Sequence, residues 1–163
     1  MKRLWILRHV KSSWDHPGLA DHDRPLAPRG RKAAKRIARW ADTNEVRPEL
    51  ALCSTAVRAQ ATLDLVRSGF GCPEERIERS LYHASVDDIL ELLAAADDAV
   101  AGILLIGHNP TLHELATVLA PPGPDVFPTG ALAGLRLAIE RWEEVRPGCG
   151  LIETSVVPRS LPH

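Results

Sequence analysis

Leu4-Trp5-Ile6-Leu7-Arg8-His9-Val10-Lys11-Ser12 is an apolar run that turns abruptly polar. Residues 4–7 suit a buried strand, and an Arg and a His then stand at its C-terminal end. Ligands of open α/β sheets bind at that end of the strands, so the pair is a site candidate. Taken alone, the stretch reads equally as a strand-end His bonded to backbone beside a solvated Arg.

A second stretch repeats the design. Gly102-Ile103-Leu104-Leu105-Ile106 fits a strand buried on both faces, and Gly107-His108-Asn109-Pro110 follows. Asn109 is a preferred N-cap, and Pro110 suits the first helical position of the helix that buries Leu112, Leu115, Ala116 and Leu119. Two strand-His-helix units in one parallel sheet bring their loops to one edge. His9 and His108 are therefore expected to be neighbours.

Between them the chain alternates in the same way. After a loop at residues 16–29, Pro28 opens a helix over about 28–42. Ala33, Ala34, Ile37, Ala38 and Ala41 form its apolar stripe, with Arg31, Lys32, Lys35, Arg36 and Arg39 largely opposite. That charge run reads as a solvated face or as a docking face for an acidic partner. Residues 49–53 form a second strand, and Ser54 or Thr55 caps a helix over about 56–68, with Arg58 in its first turn. An anion is favoured there, whereas a lone Arg opposes the helix dipole, which hints at a negative ligand. Gly69–Pro73 reads as a loop, 76–81 as a third strand, and Ser85 as the cap of a helix over about 86–96. His83, in the intervening loop, is a site candidate or a solvated loop residue. Strands at 131–139 and 149–158 follow, and the tail beyond Pro158 is expected to fray.

Length and composition narrow the class. The chain has 163 residues, 45% hydrophobic and 25% charged, which fits one domain with a real core, and no apolar run is long enough for a membrane span. The short apolar run after Met1-Lys2-Arg3 is too brief for a signal peptide, so a cytoplasmic protein is expected. Three cysteines at 53, 72 and 149 include no C-x-x-C pair, and Cys53 to Arg58 is C-x4-R rather than the C-x5-R of cysteine phosphatases. Residues 1–58 carry 13 Lys/Arg against 6 Asp/Glu, a net +7, whereas 59–163 carry 7 against 15, a net −8. Anions are drawn towards the basic part that holds the Arg-His pair. Scarce aromatics and the lack of a binding motif speak against nucleic acid as partner.

Arg8, His9, Arg58 and His108 together put two guanidiniums and two imidazoles at a sheet edge beside helix N-termini, the makings of a phosphate site. A neutral imidazole can attack phosphorus and form a phosphohistidine that water hydrolyses. Nearby positive charge lowers a histidine's pKa and keeps it nucleophilic near neutral pH.

The segments Leu7-Arg8-His9-Val10-Lys11-Ser12, Ser54-Thr55-Ala56-Val57-Arg58-Ala59-Gln60-Ala61-Thr62 and Gly107-His108-Asn109-Pro110 resemble, in order, the three signatures of the histidine phosphatase superfamily. The run Asp21-His22-Asp23-Arg24-Pro25-Leu26 with Arg29-Gly30 is similar to the small SixA-type phosphohistidine phosphatases in particular. The resemblance spans nearly the whole chain. It implies a single-domain three-layer α/β/α sandwich (residues 1–158) around a mixed, mostly parallel sheet, phosphoglycerate mutase-like.

It also implies roles. His9 would be the nucleophile, with Arg8, Arg58 and His108 holding the phosphoryl oxygens and Asp15 and Ser12 as further substrate contacts. No metal or organic cofactor is implied. Position 10, usually Gly in the family, is Val here, which is expected to narrow the pocket. Larger members carry an acidic proton donor on an insertion between the second and third signatures, for which this chain leaves little room. Asp21 and Asp23 read equally as auxiliary carboxylates or as loop caps.

The implied substrate is protein phosphohistidine, whose imidazole leaves readily when protonated. Alternatives are a small phosphomonoester and a phosphate-binding regulatory domain without turnover. Asp15, His16, Asp21, His22 and Asp23 are competent metal ligands by type but have no recognised ligand spacing, so no metal is expected.

Overall fold

The computed structural model describes residues 1–72 and 74–163. Its centre is β1 (Lys2–Arg8), flanked by a parallel neighbour, β4 (Gly102–Gly107), and an antiparallel one, β5 (Leu132–Leu137). With β2 (Leu50–Ser54), β3 (Glu74–Glu78) and β6 (Gly150–Val156) they form one six-stranded sheet in the order β3-β2-β4-β1-β5-β6. The first four strands of that order run parallel, and β5 alone runs against its neighbours.

Side chains alternate through the sheet and define two cores. Leu4, Ile6, Leu50, Leu52, Ile103 and Leu105 pack on the face covered by α3 (Val86–Ala94) and α4 (Thr111–Leu119). Leu7, Ala51, Cys53, Leu104 and Ile106 pack on the other, beneath α1 (Pro28–Thr43) and α2 (Val57–Phe70). Ile103 to Ile106 are wholly buried, which is why this segment reads as an unbroken apolar run rather than an alternating one. The architecture is the expected three-layer α/β/α sandwich. Where α1 and α2 cross, a Cβ on Gly69 would lie 2.0 Å from the Ala38 carbonyl oxygen, so only glycine permits this approach.

Several boundaries differ from expectation. β3 ends at Glu78, and residues 79–81 form a 3-10 turn that carries the chain over the sheet edge. Helix α2 absorbs Gly69 and Phe70 of the expected loop and ends at Gly71 in the left-handed conformation, while Pro73 lies outside the described residues. Ser85 caps α3 as expected, reciprocally with Asp88. The tail, expected to fray, makes a 3-10 turn at Pro158–Ser160 against α1 and packs Leu161 on the core. No helix among the described residues is long and apolar enough to cross a membrane.

Candidate active site

Because β2, β4 and β1 are parallel neighbours, their C-terminal ends meet at one edge. Arg8 pairs with Gly107 across the β1/β4 ladder, and the His9 N–H donates to the Gly107 carbonyl at 3.1 Å. The rings of His9 and His108 consequently face each other with centroids 5.2 Å apart. The expected juxtaposition follows from two strands of matched register ending together.

The His9 ring has a fixed tautomer. The His9 Nδ1–H donates to the Val10 carbonyl at 2.7 Å, and a carbonyl only accepts, so the lone pair is on Nε2. His108 Nε2 lies 2.7 Å from the Ser54 hydroxyl, which already accepts the Ala56 N–H. That hydroxyl keeps a second lone pair and its own proton: donated to Nε2, the Ser54 proton leaves the His108 proton on Nδ1, and the reverse arrangement leaves Nδ1 as an acceptor. Burial, assisted by the charges of Arg58, Arg8 and Arg24 and opposed by the bond to Val10, pushes His9 down to about 4. Burial together with His9 and Arg58 pushes His108 down to about 3. Both rings are neutral at pH 7.

A pH dependence follows. Unfolded histidines take up protons near pH 6.5 and these two resist them, so between pH 6.5 and about 4 the unfolded chain binds more protons and acid costs the fold stability. The stability these groups preserve above pH 6.5 is lost progressively as pH falls towards 4. Thermal unfolding across pH 4–7 should show this slope, and the double change His9→Ala, His108→Ala should flatten it.

Arg8 donates Nη1 to the Phe127 carbonyl at 3.1 Å, and Asn109 donates Nδ2 to the same oxygen at 2.8 Å. Arg58, buried in the first turn of α2, is held as a fork by Asp21: Nη1 donates to its backbone oxygen at 2.7 Å and Nη2 to its carboxylate at 3.0 Å. Tyr82 and Arg24 complete the grip on Asp21, at 2.7 and 3.2 Å. The Tyr82 hydroxyl and both guanidiniums hold this carboxyl well below the usual carboxylate range. Among the described residues, three buried side-chain nitrogens have no hydrogen-bond partner: Arg8 Nε, Arg58 Nε and His108 Nδ1. All three belong to this cluster. An unpartnered buried polar nitrogen costs about 1–3 kcal/mol, and two of the three are guanidinium donors, so together they mark a site suited to an acceptor-rich anion.

A cavity of about 320 Å³ opens against Arg58 and His108, bounded also by Tyr82, His83 and Thr111 and, among the described residues, by no Asp or Glu. His83 adopts φ +61°, its ring tilted 44° to that of Tyr82 with centroids 4.0 Å apart, and the loop histidine lines the cavity. A larger hollow of about 500 Å³, bounded by Arg3, Trp5 and Trp40, lies at the N-terminal ends of β1 and β4, away from the histidines.

Other expectations need correction. Ser54 and Thr55 do not cap α2, whose preceding residue is Ala56 without a side-chain cap; their hydroxyls are spent on His108 and, at 2.9 Å, on His22. Asn109 stands one residue further from α4 than a cap, yet its side-chain oxygen accepts the His113 N–H. Val10 does not narrow the cavity, because its side chain is buried in the α1/α2 core and its N–H is held by the Thr62 hydroxyl at 3.2 Å. Ser12 is buried and accepts from Arg24 at 2.8 Å. Asp15 is exposed and its carboxylate makes no hydrogen bond among the described residues. The loop carrying Asp15, His16, Asp21, His22 and Asp23 does not converge on a metal-sized cluster among the described residues. Cys53 is wholly buried, and burial pushes its thiol up.

Asp21 and Tyr82 as clamps of Arg58, and Thr62 as support for Val10 and Arg58, are not apparent from the sequence. Gly130 belongs with them: at φ +77° its N–H donates to the carbonyls of Arg8 and His9, at 3.1 and 3.0 Å. A glycine two residues before a strand was the one available signal.

Comparison with known proteins agrees with this geometry. The profile of the histidine phosphatase superfamily (branch 1) matches residues 4–81. An uncharacterised protein of Mycobacterium tuberculosis is 40% identical over 94% of this chain and 100% of its own length. Phosphohistidine phosphatase SixA of Escherichia coli is 29% identical over 83% of this chain and 85% of its own. Among solved structures, a putative SixA from Nakamurella superposes with a TM-score of 0.85 at 26% identity, covering 96% of both chains. A SixA complexed with tungstate superposes at 0.83 with 26% identity, over 97% of this chain and 98% of that one. The sheet order, the meeting of the two histidines and these matches lead to one conclusion: the chain belongs to the histidine phosphatase superfamily.

Proposed function

We propose that the protein is a metal-independent phosphohydrolase that removes phosphoryl groups from protein phosphohistidine through a phosphohistidine intermediate on His9. The observation that carries this reading is the cluster of Arg8, Arg58 and His108, each with an unpartnered buried nitrogen, beside a neutral His9. The His9 Nε2 lone pair attacks phosphorus and the bond to the substrate imidazole breaks. Water then attacks the phosphorus, freeing His9 and releasing inorganic phosphate. The two guanidiniums and the His108 N–H stabilise the charge on the non-bridging oxygens.

The substrate class follows from the supply of protons. Asp21 is ionised and tied to three donors, and among the described residues the cavity wall carries no carboxylate. No strong acid stands ready to protonate an alkoxide. An imidazole leaving group needs less help, so a phosphoramidate bond suits this site better than an alkyl phosphate. The second reading, a small phosphomonoester, draws on His83, an imidazole on the cavity wall able to serve as donor.

Phosphate release should be measured with a phosphohistidine peptide, an aryl phosphate and an alkyl phosphate, with and without EDTA. The expected order of kcat/KM is phosphohistidine, aryl, alkyl, with about 10²-fold between first and last if one general acid is missing, and EDTA should change none of them. A faster alkyl ester would establish the second reading. Binding of phosphate without turnover of any substrate would make the chain a regulatory domain.

A further inference from the structure

We propose that a basic groove beside the histidine cluster docks an acidic segment of the phosphoprotein substrate. The inference rests on the phosphatase reading above and names the surface that its substrate would use. The groove, about 300 Å³, runs between α1 and the C-terminal turn and is walled by Lys11, Arg29, Lys32, Arg36 and Arg159, with Thr129 at its inner end. Among the described residues no Asp or Glu lines it.

These cations are uncompensated. Among the described residues none of the five forms an ion pair with a carboxylate, unlike Arg3, Arg47, Arg67, Arg76 and Arg141; Arg31, Lys35, Arg39, Arg79 and Arg146 form none either, and what sets the five apart is that they line one groove. Arg36 meets only the ring of His163. Lys32 and Arg36 stand four residues apart on α1, the spacing at which like charges repel, and the first turn of α1 carries no acidic residue to relieve them. A concentration of positive charge that opposes the fold and neutralises nothing within it is suited to an external anion.

Position selects the kind of anion. Lys11 follows His9 by two residues, so the Cα atom of one groove residue lies within about 7 Å of the His9 Cα. At its inner end Thr129 adjoins Gly130, whose N–H holds the Arg8 and His9 carbonyls. The cavity beside His108 lies on the β2/β4 side of the cluster and the groove on the α1 side, so one molecule can offer its phosphoryl group to the cluster and lay an acidic flank along the groove. Five long cationic side chains around an open trough match spaced carboxylates better than a single compact anion.

Two phosphohistidine peptides of equal length, prepared with phosphoramidate, would test this: one flanked by Asp and Glu, the other by Gln. At low salt the acidic peptide should show a kcat/KM about tenfold higher, carried by KM. The advantage should vanish at about 0.5 M NaCl and in Lys32→Glu, Arg36→Glu. The neutral variant Lys32→Gln, Arg36→Gln should show a smaller loss, and turnover of an aryl phosphate should be unchanged in both. Equal kcat/KM for the two peptides at low salt would overturn the proposal, as would an equal fall for peptide and aryl phosphate in the variants.

If no substrate is turned over, the phosphatase reading fails. Fluorescence anisotropy of the unphosphorylated acidic peptide then still tests the groove, and no binding there would overturn it. Binding of a short DNA duplex or an anionic vesicle in preference to the acidic peptide would assign the groove to another partner and overturn it too.

Discussion

Replacing His9 with alanine is expected to lower kcat by at least about 10³-fold, the scale on which removal of a covalent nucleophile acts. Nothing nearby can substitute for it. His108 faces it at 5.2 Å between centroids, but its Nε2 is engaged with Ser54. The fold should survive, since the change strands one acceptor, the Val10 carbonyl, at a cost of about 1 kcal/mol. Single-turnover phosphate release with circular dichroism checks both halves. A variant that keeps more than a tenth of the rate would remove His9 from the nucleophile's role.

The second large effect is expected at Arg58. Arg58→Ala should lower kcat/KM about 10²- to 10³-fold, as loss of a preorganised donor to a developing anion does. Arg58→Lys should recover less than tenfold of it, because an ammonium cannot reproduce the fork that Asp21 grips at 2.7 and 3.0 Å. The comparison separates charge from geometry: full recovery in the lysine variant would mean that Arg58 acts as a point charge, and the Asp21 clamp would lose its purpose. Steady-state kinetics on the aryl phosphate suffices for the measurement.

The parts legible in the sequence were those written locally. A four-residue apolar run ending in Arg-His, a second ending in Gly-His-Asn-Pro and a Pro-opened helix each carry their signal within about ten residues. Two such units ending at one sheet edge suffice to make His9 and His108 neighbours. Asp21 on Arg58 and Tyr82 on Asp21 join positions 37 and 61 residues apart, and no period or spacing reports such a pair. Ser54 and Thr55 misled for a related reason: a hydroxyl before a helix is a cap by local rule, yet here the tertiary partners His108 and His22 compete successfully for it. Val10 misled because it lies beyond the end of β1, where the alternation that puts Leu4 and Ile6 on the opposite face is broken and the side chain turns into the α1/α2 core.

The most direct test of the central claim is to quench the enzyme during turnover of ³²P-labelled phosphohistidine peptide and look for phosphate covalently bound to the protein. An alkali-stable, acid-labile label is expected on the peptide containing His9 and is expected to be absent from His9→Ala. Turnover at the full rate with no such label, or with the label on another residue, would contradict it.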